Sequence, residues 1–175
     1  MTDNPRYPIG GFHLPGSHTP ATRSAAIAAL DALPADLRKA VHGLSDAQLD
    51  TPYRDGGWTL RQVVHHLADS HVNAYIRLRF TLTEDRPTVK PYDEGDWANL
   101  PDARTGPVAP SLSLLDGLHT RWAILARTFT PADFARIWIH PVNGERTVDW
   151  TIEFYAWHSR HHVAHITALR AARHW

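Results

Sequence analysis

The chain has 175 residues, which is enough for one domain with a substantial buried core. Its 18 Lys and Arg residues balance its 18 Asp and Glu residues, so charge gives no reason to expect a nucleic acid or an acidic membrane as a partner. Cysteine is absent, which excludes disulfides, thiolate ligands and a cysteine nucleophile. Without a signal peptide pattern or an apolar run long enough to span a membrane, we expect a cytoplasmic protein.

The N-terminal part of the sequence predicts an irregular arm followed by a helix. Residues 1–19 are rich in proline and glycine, and no regular structure is expected there. A helix is predicted to begin at Pro20, because apolar residues then recur every three or four positions, and Pro34 should interrupt or bend it. Residues 43–57 predict a connection to the next element.

A second helix is predicted over residues 60–83, where Thr59 and Gln62 have the spacing of a capping box. The proline-rich residues 86–110 then predict a long loop, and long loops in small domains are often lids over functional sites. Two interpretations of this loop remain open. It forms one wall of a pocket, or it is a solvated loop anchored by Trp97.

The C-terminal half predicts a third helix over residues 111–129, a short hairpin within residues 133–147 and a final helix over residues 148–172. Four helices without repeats or a strong strand pattern are typical of a four-helix bundle. We therefore predict an all-α fold in a single domain of residues 1–175. We expect an up-down-down-up bundle with the proline-rich loop between its second and third helices.

The predicted final helix concentrates histidine on the face that should be buried. At about 100° per residue, four imidazoles fall within an arc of roughly 100° that also carries apolar side chains. They are His158, His161, His162 and His165. The second helix carries a further cluster of His65, His66 and His71. Buried imidazoles need partners, and either a bound transition metal or a hydrogen-bonded core network would provide them.

A catalytic zinc site needs three protein ligands and one open position. Two histidines spaced i, i+4 on one helix and one from a facing helix meet that count. Both His158/His162 and His161/His165 have this spacing, and helical geometry does not separate them decisively, although the first pair is better centred on the apolar arc. The zincin motif, the G-x-S-x-G elbow, the Glu-x-x-His pair of di-iron bundles and glycine-rich phosphate loops are all missing from the sequence.

The run GWTLRQVVHHLADSH, from Gly57 to His71, resembles the second helix of the DinB-like superfamily, and more narrowly of the YfiT type of metal-dependent hydrolases. The resemblance covers nearly the whole chain. It continues through Tyr75-Ile76-Arg77, Lys90-Pro91-Tyr92-Asp93-Glu94, Leu118-His119-x-Arg121-Trp122, His140-Pro141 and Tyr155-Ala156-Trp157-His158.

This resemblance implies a four-helix bundle, a homodimer and one divalent metal per subunit, held by three histidines. The implied ligands are His66, His158 and His162. Zinc is the expected metal, with nickel, manganese and iron as alternatives, because three imidazoles accept several divalent ions. His165 stands where the wider superfamily often has Gln, which makes it a candidate group beside the metal or the substrate.

Two classes of function follow for such a site. A metal held by three neutral imidazoles lowers the pKa of a bound water or thiol, so we expect either a hydrolase or a transferase that uses a small thiol. The resemblance implies bacillithiol, mycothiol or glutathione as that thiol. The alternative is a non-catalytic bundle with a structural or sensory metal. A fourth protein ligand would close that site, and His71, His119 or His165 could supply it.

Several nearby residues are candidates for supporting roles. Asp69 follows His66 by three positions and could orient a ligand imidazole, or it is a charge on the helix surface. His119 faces inward on the third helix and could carry a proton or contact a ligand, or it is a buried hydrogen-bonded residue. His65 and His71 are expected to pack in the core or to support the ligands.

Overall fold

Four long helices contain most of the residues that this computed structural model describes, which are residues 4–175. They are α1 (Pro20–Val41), α3 (Leu60–Thr83), α6 (Ala109–Ala126) and α8 (Val148–Arg173). Short helices lie in the connections: α2 (Asp46–Leu49), α4 (Glu94–Ala98), α5 (Pro101–Thr105) and α7 (Pro131–Ala135). A hairpin of β1 (Ile137–His140) and β2 (Gly144–Thr147) precedes α8. The predicted all-α four-helix bundle is thereby confirmed.

Three of the four long helices, α1, α3 and α8, begin where a threonine caps the first turn. The Thr59 side chain accepts a hydrogen bond from the Gln62 backbone N–H at 3.2 Å, and the Thr59 N–H donates to the Gln62 side chain at 2.9 Å. This is the predicted capping box, and it sets the start of α3. The Thr147 side chain likewise accepts from the backbone N–H of Trp150 and sets the start of α8.

Helices α1 and α3 each pack mainly against both α6 and α8, so α3 and α8 are neighbours in the bundle. One apolar cluster joins the second half of α3 to the first half of α8 and is centred on Trp122. A second cluster joins the first half of α3 to Ile166 near the end of α8. The two helices therefore run antiparallel, and the histidines of α3 and α8 meet between the two apolar clusters.

Helix α1 continues through Pro34 to Val41, so the predicted interruption at this proline is wrong. Pro34 is buried and lacks a backbone N–H, which removes the hydrogen bond that would normally reach the carbonyl of Leu30 four residues earlier. That carbonyl instead accepts a hydrogen bond of 2.6 Å from the Nδ1 of His119 on α6. A side chain from a neighbouring helix thus replaces the missing backbone donor.

The connections contain more structure than the sequence predicts. The proline-rich residues 86–110 include α4, whose N-cap Asp93 accepts a hydrogen bond from the Asp96 backbone N–H, and also α5, which begins with Pro101. The third long helix also starts and stops earlier than expected, at Ala109 and Ala126. Short helices depend on local caps rather than on apolar periodicity, so a periodic pattern does not reveal them.

The N-terminal arm and the hairpin lie over the histidine-rich side of α8. Residues 4–19 contain no helix or strand, as predicted, and the first three residues of the predicted arm lie outside the described residues. The arm residue Phe12 packs edge-on against Phe154 at 5.2 Å between ring centroids. Trp138 in β1 donates a hydrogen bond of 2.9 Å to the hydroxyl of Thr151. Within residues 4–175, none of the helices has the length and apolar character needed to cross a membrane.

Arg61 connects the first turn of α3 to two of the short helices. Its guanidinium donates to Asp50 at 2.6 Å, to Asp46 at 2.8 Å and to the carbonyl of Gly106, just after α5, at 2.8 Å. The arginine is only 4% exposed, whereas the two carboxylates reach into solvent. Its hydrogen bonds therefore hold α2 and α5 against the start of the helix that carries His66.

We expect the Arg61→Met variant to lower the free energy of unfolding by about 1–3 kcal/mol, because it removes the charge-assisted hydrogen bonds to Asp46, Asp50 and the Gly106 carbonyl. Arg38→Met is the matched control, because Arg38 pairs with Asp116 on the surface and both side chains are nearly half exposed. That control should change stability by less than about 1 kcal/mol. Urea unfolding of both variants measures the difference, and equal losses would contradict the assignment to Arg61.

Candidate metal centre

Three imidazoles from two helices converge in the layer between the apolar clusters. His66 comes from α3, and His158 and His162 come from successive turns of α8. One ligand nitrogen from each ring lies within 4.8 Å of the other two, and the Nε2 atoms of His66 and His158 are 3.2 Å apart. Each of the three side chains is no more than 8% exposed. The two histidine clusters of the sequence therefore face each other across the bundle.

The geometry of this group fits a divalent metal ion. Zinc binds imidazole nitrogen at about 2.0–2.1 Å, so two ligands of a tetrahedral ion lie about 3.3 Å apart. The 3.2 Å separation between His66 and His158 matches that value. Burial lowers the pKa of His66 to about 4 and lowers the pKa values of His158 and His162 well below 6.5. All three rings are thus neutral at pH 7 and have a lone pair free for a metal.

The alternative register also forms a group in the structure. His161, His162 and His165 have ligand nitrogens within 4.8 Å of one another, and they share His162 with the first group. Both nitrogens of His165, however, already face partners. Its Nδ1 is 3.3 Å from Nδ1 of His162, and its Nε2 is 3.2 Å from the carbonyl oxygen of Arg6. In the first group the Nε2 atoms of His66 and His158 face each other at 3.2 Å, so we take this group as the candidate site.

His165 thus connects a candidate ligand to the N-terminal arm. If His162 uses Nε2 for the metal, its Nδ1 carries the proton and donates to Nδ1 of His165. The Nε2–H of His165 can then donate to the Arg6 carbonyl. Its ring also stacks on Tyr53 with 4.0 Å between centroids. Contacts of this kind orient ligand imidazoles in metal sites.

The other candidate side chains lie at different distances from the group. Nε2 of His71 lies 3.1 Å from Nδ1 of His158, so His71 contacts a candidate ligand from behind. His119 lies one ring further away, with its centroid 4.9 Å from that of His71. His65 faces away from the group and contacts Ser111 at 2.8 Å and the Gly106 carbonyl at 3.3 Å.

Asp69 does not join the three imidazoles. Its half-buried carboxyl group is close enough to Asp102 to feel its charge, and burial together with this repulsion raises its pKa to about 6. It is not among the described residues that line the cavity beside the histidines. The structure therefore gives no contact through which Asp69 would orient a ligand ring.

A cavity of about 570 Å³ opens directly in front of the three imidazoles. Nine of its 23 lining residues are Tyr, Trp or Phe, and the N-terminal arm, the segment before α3, the proline-rich connection, the hairpin and α8 all contribute. The aromatic lining residues are Tyr7, Tyr53, Trp58, Tyr92, Trp138, Trp150, Phe154, Tyr155 and Trp157. The proline-rich connection thus forms part of a pocket wall, which was one of the two interpretations of this loop from the sequence.

Charged and hydroxyl groups also line this cavity, and no individual role was predicted for them from the sequence. Tyr92 and Tyr155 share this cavity wall with Ser70 and Arg77 of α3. Burial raises the pKa values of both tyrosines, so their hydroxyls remain proton donors at neutral pH. A cavity wall formed by a helix and a distant loop produces no periodic pattern in the sequence, so periodicity does not predict it. A spacing of seven residues along α3, from Ser70 to Arg77, was the available signal.

The burial of so many neutral imidazoles predicts an acid-labile metal-free protein. The histidine pKa is about 6.5 in the unfolded chain, whereas it is lowered to about 4 for His66 and His119 in the folded state. As the pH falls from 6.5 toward 4, only the unfolded state takes up protons at these sites, so the free energy of unfolding decreases. Above pH 6.5 this contribution is fully present.

Urea unfolding in the presence of a strong chelator, at about pH 7.5 and about pH 5.5, measures this effect. We expect a clearly lower unfolding midpoint at the lower pH. The same midpoint at both values would mean that the imidazoles are not held neutral by burial in the folded protein.

Comparison with known proteins agrees with this fold. A model of the DinB superfamily matches residues 29–166. YfiT of Bacillus subtilis strain 168, named "Putative metal-dependent hydrolase", is 48% identical over 173 residues, covering 98% of this chain and 97% of YfiT. A Geobacillus kaustophilus protein with the same description is 50% identical over 172 residues, covering 97% of this chain and 96% of the relative.

A solved structure points to the same relationship. The structure of YfiT from Bacillus subtilis, described as a probable metal-dependent hydrolase with an unusual four-helix bundle topology, matches with a TM-score of 0.95 and 47% identity. The match covers 98% of this chain and 99% of that one. The family model, the relatives and the solved structure all span most of the sequence, and the resemblance predicted from its motifs is confirmed: the chain belongs to the DinB superfamily.

Proposed function

We propose that this protein is a metal-dependent enzyme in which His66, His158 and His162 hold one divalent ion, most simply Zn²⁺. The supporting observation is that three buried, neutral imidazoles converge at the wall of a cavity of about 570 Å³. A structural metal site is closed, whereas a catalytic site keeps one coordination position for a reactant. The relatives described as metal-dependent hydrolases support the same class of activity.

The surroundings of the three imidazoles support an open coordination position on the proposed ion. Among the described residues the cluster contains three ligand nitrogens, and the three candidates for a fourth ligand are engaged elsewhere. His71 contacts the far side of His158, His165 contacts His162 and Arg6, and His119 contacts Leu30. The alternative of a non-catalytic bundle with a closed metal site would require one of these rings to leave its partner.

We propose that the reactant activated at this site is water, in a hydrolysis, or a small thiol, in a transfer to an electrophile. The ion supplies a Lewis acid that lowers the pKa of either group. The protein contributes the pocket around it. The protonated hydroxyls of Tyr92 and Tyr155 can donate hydrogen bonds to a substrate oxygen, and the aromatic wall excludes water from an apolar part of the substrate.

Two features of the chain support thiol transfer as a second possible reaction, in addition to hydrolysis. The protein has no cysteine, so a thiol reactant would have to enter as a small molecule. The cavity is lined by the guanidinium groups of Arg6, Arg54 and Arg77 and by one carboxylate, that of Glu94. A positive pocket beside a divalent cation favours a small anionic molecule over a neutral or cationic one.

The expected homodimer and cytoplasmic location also remain proposals. Ile76 and Phe80, one turn apart on α3, are 46% and 47% exposed. An exposed apolar pair on a long helix supports a contact with a second copy of the chain.

We expect His66→Ala, His158→Ala and His162→Ala each to lose stoichiometric metal, because each removes one of three ligands. His65→Ala is the matched control: it is the neighbouring buried histidine on α3, but its ring contacts Ser111 and Gly106 instead of the cluster. Elemental analysis of the purified proteins measures the metal content. Full metal content in all three ligand variants would overturn the assignment, and loss in His65→Ala would show that the assay reports misfolding.

The choice between water and thiol can be tested on the zinc-loaded protein. Model esters and amides, and separately a thiol-reactive aromatic electrophile, are incubated with and without bacillithiol or glutathione. A hydrolase turns over the first set without added thiol, whereas a transferase consumes the electrophile only when thiol is present. We expect either activity to disappear in His158→Ala. If the zinc-loaded wild type were no more active than the metal-free protein, the result would contradict the catalytic proposal and favour a structural metal.

A further inference from the structure

A row of three buried imidazoles leads from the candidate metal centre to the opposite side of the bundle. Nδ1 of His158 lies 3.1 Å from Nε2 of His71, the ring of His71 lies 4.9 Å from that of His119, and Nδ1 of His119 lies 2.6 Å from the carbonyl oxygen of Leu30. These residues belong to α8, α3, α6 and α1 in turn. The row therefore touches all four long helices.

The protons on this row can be assigned from the end at Leu30. A carbonyl oxygen only accepts hydrogen bonds, so Nδ1 of His119 must carry its proton. Burial keeps His119 neutral at pH 7, with a pKa of about 4, and a neutral imidazole has one N–H. Nε2 of His119 is therefore a bare acceptor. It is buried and has no hydrogen-bond partner among the described residues.

Assigning the protons from the metal end places a donor on His71 next to the bare Nε2 acceptor of His119. If Nε2 of His158 binds the ion, its Nδ1 carries the proton and donates to Nε2 of His71. The proton of the neutral His71 ring then sits on Nδ1. That atom is likewise buried and without a hydrogen-bond partner among the described residues. The two unsatisfied nitrogens are thus one donor and one acceptor on adjacent rings, which a small ring rotation or one water molecule can join.

Pro34 explains why the carbonyl of Leu30 is available at the end of the row. In an uninterrupted helix this oxygen would accept the backbone N–H four residues later, but residue 34 is proline and has none. The carbonyl is buried within the bundle, and the hydrogen bond from His119 satisfies it. The proline therefore presents a free acceptor to the interior without ending α1.

We propose that His71 and His119 are positioning residues, which join His158 to the Leu30 carbonyl in one directed hydrogen-bond chain and so keep Nε2 of His158 free for the metal. This inference rests on the proposed function, because it takes His158 as a ligand. The direction is set at Leu30, since the reverse tautomer of His71 would place two bare nitrogens against each other. The chain therefore selects the metal-binding tautomer before the ion arrives and makes the ligand ring more basic when it is bound.

Zinc affinity of matched variants tests the proposal. His71→Leu cannot accept the proton of His158, and we expect its zinc dissociation constant, measured by competition with a chromogenic chelator, to rise about 10- to 100-fold. His71→Gln should restore most of the affinity, because its amide oxygen accepts from His158 and its amide N–H₂ donates toward His119. His65→Leu removes a buried histidine of the same helix outside the chain and should leave the affinity within about twofold of the wild type.

The tautomers provide a readout that a purely structural role would not change. In ¹⁵N-labelled protein, imidazole correlation spectra should show the proton on Nδ1 of His71, His119 and His158, both with and without zinc. A proton on Nε2 of His71, or wild-type affinity in a folded His71→Leu variant, would overturn the chain. The spectra of the wild type decide the question even if His71→Leu does not fold.

The two proposals fail in different ways. A wild-type protein that binds no zinc, nickel, manganese or iron would reject the metal-dependent function, while the tautomers of His71 and His119 would still test the chain in the metal-free protein. A wild type that binds zinc stoichiometrically but carries the wrong tautomers would reject the chain alone.

Discussion

The cost of burying imidazole nitrogens governs the interior of this protein. A polar group removed from water destabilises the fold unless it finds a hydrogen-bond partner or a metal. Within the bundle, His65 contacts Ser111, and His119 donates a hydrogen bond to the Leu30 carbonyl. His66, His158 and His162 instead face one another. An ion with three nitrogen ligands would complete the bonding of this last group, so the same requirement that shapes the core also points to the candidate site.

The candidate ligands and the cavity wall opposite them come from different kinds of structure. The candidate ligands stand on α3 and α8, two long antiparallel helices whose relative position is fixed by apolar clusters on either side of the histidine layer. The cavity wall opposite them comes from irregular segments, including the N-terminal arm and the hairpin. Rigid helices hold ligand atoms to within a fraction of an ångström, whereas loops can vary to fit different substrates. Substrate preference in this protein should therefore reside in the wall rather than in the ligand set.

The long helices and the two facing histidine clusters could be predicted because each depends on a local pattern. Thr59 and Gln62 form the expected cap, and apolar spacing places the histidine faces inward. The choice between the two histidine pairs could not be made locally, because both have the same helical spacing. It depends on the partners of His165, one of which is a backbone carbonyl in an arm more than 150 positions away in sequence. Contacts of this kind leave no periodic trace in the sequence.

Pro34 shows most clearly how a local rule and a long-range role can differ. The rule that proline disturbs a helix rests on two effects, a steric clash of its ring and the loss of one N–H donor. In α1 the helix tolerates the first, and the second creates an acceptor that His119 uses from α6. If the imidazole row is continuous, the missing proton at residue 34 determines which nitrogen of His158, at the far end of the row, is left for an ion. Pro34, which is not among the described residues that line the cavity, would then help to specify the ligand atom of His158. It would do so through the order of hydrogen-bond donors and acceptors rather than through packing.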